Sequence, residues 1–212
     1  MPEPPKVPIP TLLRLATYYR VLLEEEEKGA PRLSSKRIGE LCGISATQVR
    51  KDLSFFGVGG KPGVGYVPSQ LREAIANVLR LDRVHKVAIV GAGRLGQALA
   101  AYPGLEAYNF NVVAVFDADR RKVGKSVGRS LKIEDAATLP RRLKQLKTRI
   151  VALTVPATAA QEAADKAVAG GANRILNFTP AHVSVPNGCI VRSVAFTLEF
   201  AVLAFFDNHG NR

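Results

Sequence analysis

No stretch of this 212-residue chain reaches 18 consecutive apolar residues, so no membrane-spanning helix is expected. The opening residues, Met1 to Lys6, lack the apolar core of a signal peptide, and a cytoplasmic protein with no membrane partner is the expectation. Cysteine is scarce. Cys42 and Cys189 lie in apolar settings without metal-ligand spacing; both read as small buried hydrophobes, and no metal is expected. Histidine is nearly as rare: His85, His182 and His209 are the full supply. Only His182, just after a strand end, is placed for acid–base work. An enzyme needs more than that, and no catalytic residue is assigned.

Acidic residues are outnumbered, 18 Asp and Glu against 30 Lys and Arg, for a net charge of +12. Such a balance invites a polyanionic partner. The front of the chain is not basic throughout, because Glu24, Glu25, Glu26 and Glu27 offset much of its charge. The excess is local. Residues 32–61 carry Arg32, Lys36, Arg37, Arg50, Lys51 and Lys61 against Glu40 and Asp52.

Pro10 opens a helical pattern in which Leu12, Leu13, Leu15, Ala16, Tyr19, Leu22 and Leu23 recur at three- and four-residue spacing. Gly29, Ala30 and Pro31 stop it. Ser34 or Ser35 can cap a second helix that buries Ile38 and Leu41. Gly43 allows a tight turn, and Ser45 can cap a third helix over 46–56 with Val49, Leu53 and Phe56 inward. Two short helices joined by a glycine turn form a helix-turn-helix. The third helix then exposes Ala46, Thr47, Gln48, Arg50 and Lys51, types that read base edges or hold phosphate. Residues 57–67 hold five glycines and a proline, a loop or hairpin with Lys61 at its tip. The DNA-facing set is Ser35, Ala46, Thr47, Gln48, Arg50, Lys51, Gly60, Lys61 and Tyr66. The plainer alternative is a small helical domain with a solvated basic face.

The second half opens on Gly91-Ala92-Gly93-Arg94-Leu95-Gly96, between the apolar run 87–90 and a helix-compatible run 97–101. Gly91 permits the tight turn, Gly93 the approach of a pyrophosphate, and Gly96 close helix–strand packing; the helix start offers N–H groups to phosphate. Asp117 follows Gly96 by 21 residues, at the end of the next apolar run. Its carboxylate suits an adenosine ribose diol, and a 2′-phosphate there would meet like charge, which favours NADH over NADPH. Arg120, Arg121 and Lys122 close behind it weaken that preference. Strands over 150–155 and 174–178 alternate with helices over 134–147 and 157–169, the pattern of a parallel doubly wound sheet. Thr154, Val155 and Pro156 end one strand; Asn177 and Phe178 end another. Both loops are expected to border the nicotinamide. Tyr102, in the helix after the glycine loop, is a core residue or a cofactor contact. Residues 196–208 are apolar nearly all round, so that helix must be buried on several sides, in its own domain or in a partner subunit.

These residues resemble the Rex family of NADH-sensing bacterial transcriptional repressors. The likeness runs through Pro10, Arg14, Leu15 and Tyr18-Tyr19-Arg20. It continues in Ser45-Ala46-Thr47-Gln48-Val49-Arg50-Lys51-Asp52-Leu53-Ser54-Phe55-Phe56-Gly57 and Gly63-Val64-Gly65-Tyr66. The 91–96 loop, Asp117, Leu153-Thr154-Val155-Pro156-Ala157 and Ile175-Leu176-Asn177-Phe178-Thr179-Pro180 complete it. The resemblance implies an α/β homodimer: a winged-helix domain over 1–82, a Rossmann domain over 83–194, and a swapped helix over 195–212. It implies binding to palindromic operator DNA, release by NADH, and NAD⁺ as a weaker competitor. It places Phe196 near the partner's nicotinamide, and it links Arg14 and Tyr102 across the dimer through an acid next to Phe196. Ala195 stands where that acid is expected. A small dehydrogenase, a CoA-binding domain and a regulator gated by another metabolite are the competing readings; Asp117 argues against the 3′-phosphate of CoA.

Overall fold

A computed structural model describes residues 7–60 and 64–207. The chain divides into two compact units, 1–83 and 84–212.

The first unit begins with α1 (Ile9–Glu27), whose first turn accommodates Pro10, where a missing N–H costs nothing. Leu15, Tyr18, Tyr19, Val21 and Leu22 are buried, against α2 (Ser35–Cys42) and α4 (Pro68–Leu79). The inward face is thus rotated from the expected one: Leu13 is exposed, while Tyr18 and Val21 are buried. Ser34 caps α2 by accepting from the Arg37 amide. Gly43 ends α2 in the left-handed region at φ 67°, the usual glycine stop. Ser45 then caps α3 (Ala46–Phe55) through the Gln48 amide. A side chain at Gly39 would put its Cβ 2.3 Å from the Ile44 carbonyl oxygen, so α2 and the turn before α3 meet only because position 39 is bare. Val49 and Leu53 face inward as expected, with Asp52 between them; Phe56 is half-buried at the helix end. Leu33 and Tyr66 pair their backbones in both directions at 2.8 Å, closing the base of the glycine-rich loop.

The second unit is a seven-stranded sheet in the order β3-β4-β2-β1-β5-β6-β7. Its elements run β1 (His85–Val90), α5 (Arg94–Ala101), α6 (Gly104–Ala107), β2 (Phe110–Asp117), β3 (Ser126–Val127) and β4 (Leu131–Asp135). They continue with α7 (Leu139–Leu146), β5 (Ile150–Leu153), α8 (Ala160–Ala169), β6 (Arg174–Asn177), β7 (Ile190–Ser193) and α9 (Phe196–Asp207). The described pairings are parallel apart from β3 with β4. α7 and α8 cover one face over Ala88, Val90, Phe116, Val151 and Leu153. α5 lies on the other, with Ile89, Ala92 and Val115. Chain runs leave β1 toward β2 on one side and β5 on the other, which opens a crevice at the carboxyl ends of these strands. Two expectations are corrected. Glu134 and Asp135 belong to β4, not to a helix; the strand is short, and its charged end leaves no alternation to read. The terminal helix is not buried in its own unit: Leu198, Phe200, Val202, Leu203 and Phe206 are each more than half exposed. Cys42 and Cys189 are half-buried, not fully so, and free.

Candidate functional site

β1 delivers the chain to Gly91, which adopts φ 107°; a Cβ there would lie 2.7 Å from the Thr154 backbone. Only glycine fits both the dihedral and the space. Gly96, in the first turn of α5, is more tightly constrained, with its Cβ position 1.9 Å from the Gly91 carbonyl oxygen. Gly93 is different. Nothing stands within 4 Å of its Cβ position, so open space remains where a ligand can approach. α5 starts at Gly93 with no side-chain cap, leaving first-turn amides and the positive end of the helix to an anion. Arg94 and Leu95 are exposed there, and Ala92 is buried.

Asp117 closes β2 and faces this loop. Its Oδ2 accepts from the Ala92 amide at 2.8 Å and from Lys122 Nζ at 2.8 Å, and its Oδ1 accepts from the Asp119 amide at 2.8 Å. Burial by itself would raise the carboxyl; Lys122 and the two amides outweigh it and hold Asp117 below the usual carboxylate range. Thr154 Oγ1 donates to the Val90 and Gly91 carbonyls, pinning the end of β5 to the glycine turn. Gly91, Gly93, Asp117, Thr154, Val155 and Pro156 border one cavity of about 580 Å³. Lys122, Glu162 and Lys166 also line it; the last two lie on α8, beyond any spacing rule tied to the glycine motif. These groups fit a dinucleotide: an amide cradle, an acceptor for a ribose, and an apolar wall.

Other expected contacts fall elsewhere. Asn177 is fully buried and occupied by its own loop, donating to the Ala181 carbonyl and accepting from the Thr179 amide. Phe178 borders a separate apolar hollow with Val87, Ile89 and Leu176. Its ring stacks on Phe196 with centroids 6.2 Å apart. The aromatic pair that the resemblance assigns to two subunits therefore forms within one chain here. Tyr102 ends α5, is 59% exposed and lies over Gly104, away from the Asp117 cavity.

In the first unit the helix-turn-helix collects Ser35, Thr47 and Arg50. The guanidinium donates to Ser35 Oγ at 3.0 Å and to Thr47 Oγ1 at 3.2 Å, so an exposed cation is held in a defined position on α3. Lys51 is exposed and Ala46 half-buried. The Tyr66 ring lies against Gly60, whose Cβ position is 2.7 Å from it. Lys61 and Gly63 lie outside the described residues. Gln48 is turned inward, its amide donating to Asp52 Oδ1 at 2.8 Å. Asp52 is the residue that pattern reading missed. It is 3% exposed and accepts two bonds from Arg14, both at 2.6 Å, and one from Tyr18 at 2.8 Å. Burial alone would raise its pKa; Arg14, Gln48 and Tyr18 lower it further than burial lifts it. Arg14 thus has a carboxylate partner inside its own unit. The Tyr18 hydroxyl is pushed up by burial and by that same carboxylate.

A helix-turn-helix unit with a glycine-rich wing, followed by a Rossmann unit whose phosphate-type turn faces a ribose-type carboxylate, defines a class: a DNA-binding fold joined to a nucleotide-binding fold. Residues 6–54 match a family model described as "Putative DNA-binding protein N-terminus", and residues 82–181 one described as a CoA binding domain. The redox-sensing transcriptional repressor Rex of Thermus thermophilus is 45% identical over 94% of this chain and 93% of its own length. That of Syntrophomonas wolfei is 38% identical over 98% of each. The crystal structure of RSP in complex with beta-NADH superposes with a TM-score of 0.88 at 31% identity, covering 98% of this chain and 97% of that one. RSP in complex with beta-NAD+ and operator DNA gives 0.89 at 32%, over 96% and 94%. The chain belongs to the Rex family of redox-sensing transcriptional repressors.

Proposed function

We propose that this chain is a homodimeric repressor that holds palindromic operator DNA through its helix-turn-helix units and releases it when NADH enters the Asp117 cavity. The observation that carries this reading is the cavity itself: a bare Gly93, open α5 amides and an ionised Asp117 share one crevice, in a chain that also presents Arg50 on a capped recognition helix. The RSP structures with beta-NADH and with operator DNA support both halves. NAD⁺ is the weaker ligand, because the walls at Val155 and Pro156 and the Phe178–Phe196 pair disfavour a charged ring. Binding, not turnover, is the proposed activity: His182 is exposed and is not among the described residues that line the cavity.

The dimer follows from two uncovered surfaces of the second unit. α9 exposes its apolar residues, and the sheet carries an apolar hollow of about 390 Å³. Apolar surface on this scale marks an interface, and a second copy of the chain can cover both by exchanging α9. The swapped segment is 195–212.

The test is operator binding followed by anisotropy, with NADH, NAD⁺ and CoA added in turn. NADH is expected to release a palindromic duplex at concentrations where NAD⁺ does not. Arg50→Ala is expected to weaken operator binding about tenfold or more with NADH affinity retained. Release by CoA but not NADH would favour the CoA reading that the family model raises.

A further inference from the structure

We propose that Lys122 is a direct ligand of the adenosine ribose and lets the cavity accept a 2′-phosphate, making NADPH a second effector beside NADH; this rests on the dinucleotide reading above. A carboxylate offers about four acceptor positions. In Asp117, three are taken: two on Oδ2, by the Ala92 amide and Lys122 Nζ, and one on Oδ1, by the Asp119 amide. One remains for two ribose hydroxyls. The second hydroxyl needs another partner, and the Lys122 ammonium lines the same cavity. It carries three donors, of which Asp117 uses one.

The position of Lys122 is built, not incidental. Its amide bonds back to the Asp119 carbonyl at 2.9 Å, and the turn brings the side chain over Asp117, leaving it 35% exposed. Arg121, its neighbour, is held elsewhere by bonds from its amide and guanidinium to Asp119. Arg120 is exposed. Between 117 and 122 three cations accompany two carboxylates. A 2′-phosphate here meets an ammonium already 2.8 Å from the ribose-type acid, which reverses the like-charge repulsion expected from Asp117 alone. Charge-assisted bonds to phosphate are the strong ones.

Calorimetric titration of the full-length protein, as wild type, Lys122→Met and Lys122→Arg, with NADH and with NADPH, tests this. Wild type is expected to bind NADPH within about tenfold of NADH. Lys122→Met is expected to lose roughly tenfold or more on NADPH and less on NADH, while Lys122→Arg keeps both. Lys122→Gln is the second variant, and a thermal melt reports the fold of each. Rejection of NADPH by wild type, or equal or absent losses on both ligands in Lys122→Met, overturns the proposal. If wild type fails to bind even NADH, the dinucleotide reading falls first and takes this one with it.

Discussion

Asp52 shows how much one residue can hold. It sits on the recognition helix, is almost wholly buried, and ties Arg14 and Tyr18 of α1 to Gln48 of α3. Removing one member of a buried ion pair leaves the other uncompensated, which costs roughly 3 kcal/mol. Asp52→Asn is therefore expected to lower the unfolding free energy by about that amount, and a urea titration showing a loss under about 0.5 kcal/mol would sink the assignment. The pH dependence has a definite sign. The folded pKa lies below the ordinary value, so the contribution is full above about pH 4 and lost as pH falls through the folded value. The acid limb of the stability profile should flatten in Asp52→Asn. In the sequence, an aspartate among inward positions reads as a break in the apolar face. Yet 49, 52, 53 and 56 share one side of a helix, and a lone charge there was the available signal.

At the scale of elements, the glycine loop separates packing from binding. Gly96 and Gly93 stand three residues apart and face opposite demands: Gly96 has the Gly91 carbonyl oxygen 1.9 Å from its Cβ position, Gly93 nothing within 4 Å. Gly96→Ala is expected to lower the melting temperature, by forcing α5 off β1. Gly93→Val is expected to leave it unchanged and to abolish release of DNA by NADH, leaving a constitutive DNA binder. An NADH-responsive Gly93→Val protein would show that the phosphates lie elsewhere. The helices of the first unit were legible because their signals are local: Ser34, Ser45 and Gly43 act within three residues of their own positions. β4 and β7 were not, since short strands near the edge of a sheet carry too few buried positions to alternate.

At the scale of the whole molecule, α9 is the unfinished part. Its large apolar side chains outnumber its polar ones, and no face of the helix is covered in its own unit. Burying a leucine or phenylalanine yields about 1.5–3 kcal/mol, so several on one helix are enough to hold two chains together. Leu198→Glu with Leu203→Glu is expected to turn a dimer into a monomer in sedimentation and to weaken operator binding, since two half-sites are no longer held at fixed spacing. A dimer that survives both charges would place the interface away from α9.

The sequence determined the order of elements, the glycine turn, the carboxylate at the end of β2 and the capped recognition helix, because each depends on residues close together in the chain. It also showed that the last helix could not stand alone. Only the tertiary structure decided what each charge touches. Asp52 takes Arg14 from 38 residues away, Lys122 curls back onto Asp117, and Asn177 turns from the cavity into its own loop. Such pairings depend on which surfaces the sheet and helices bring face to face, and no periodicity in the chain encodes that.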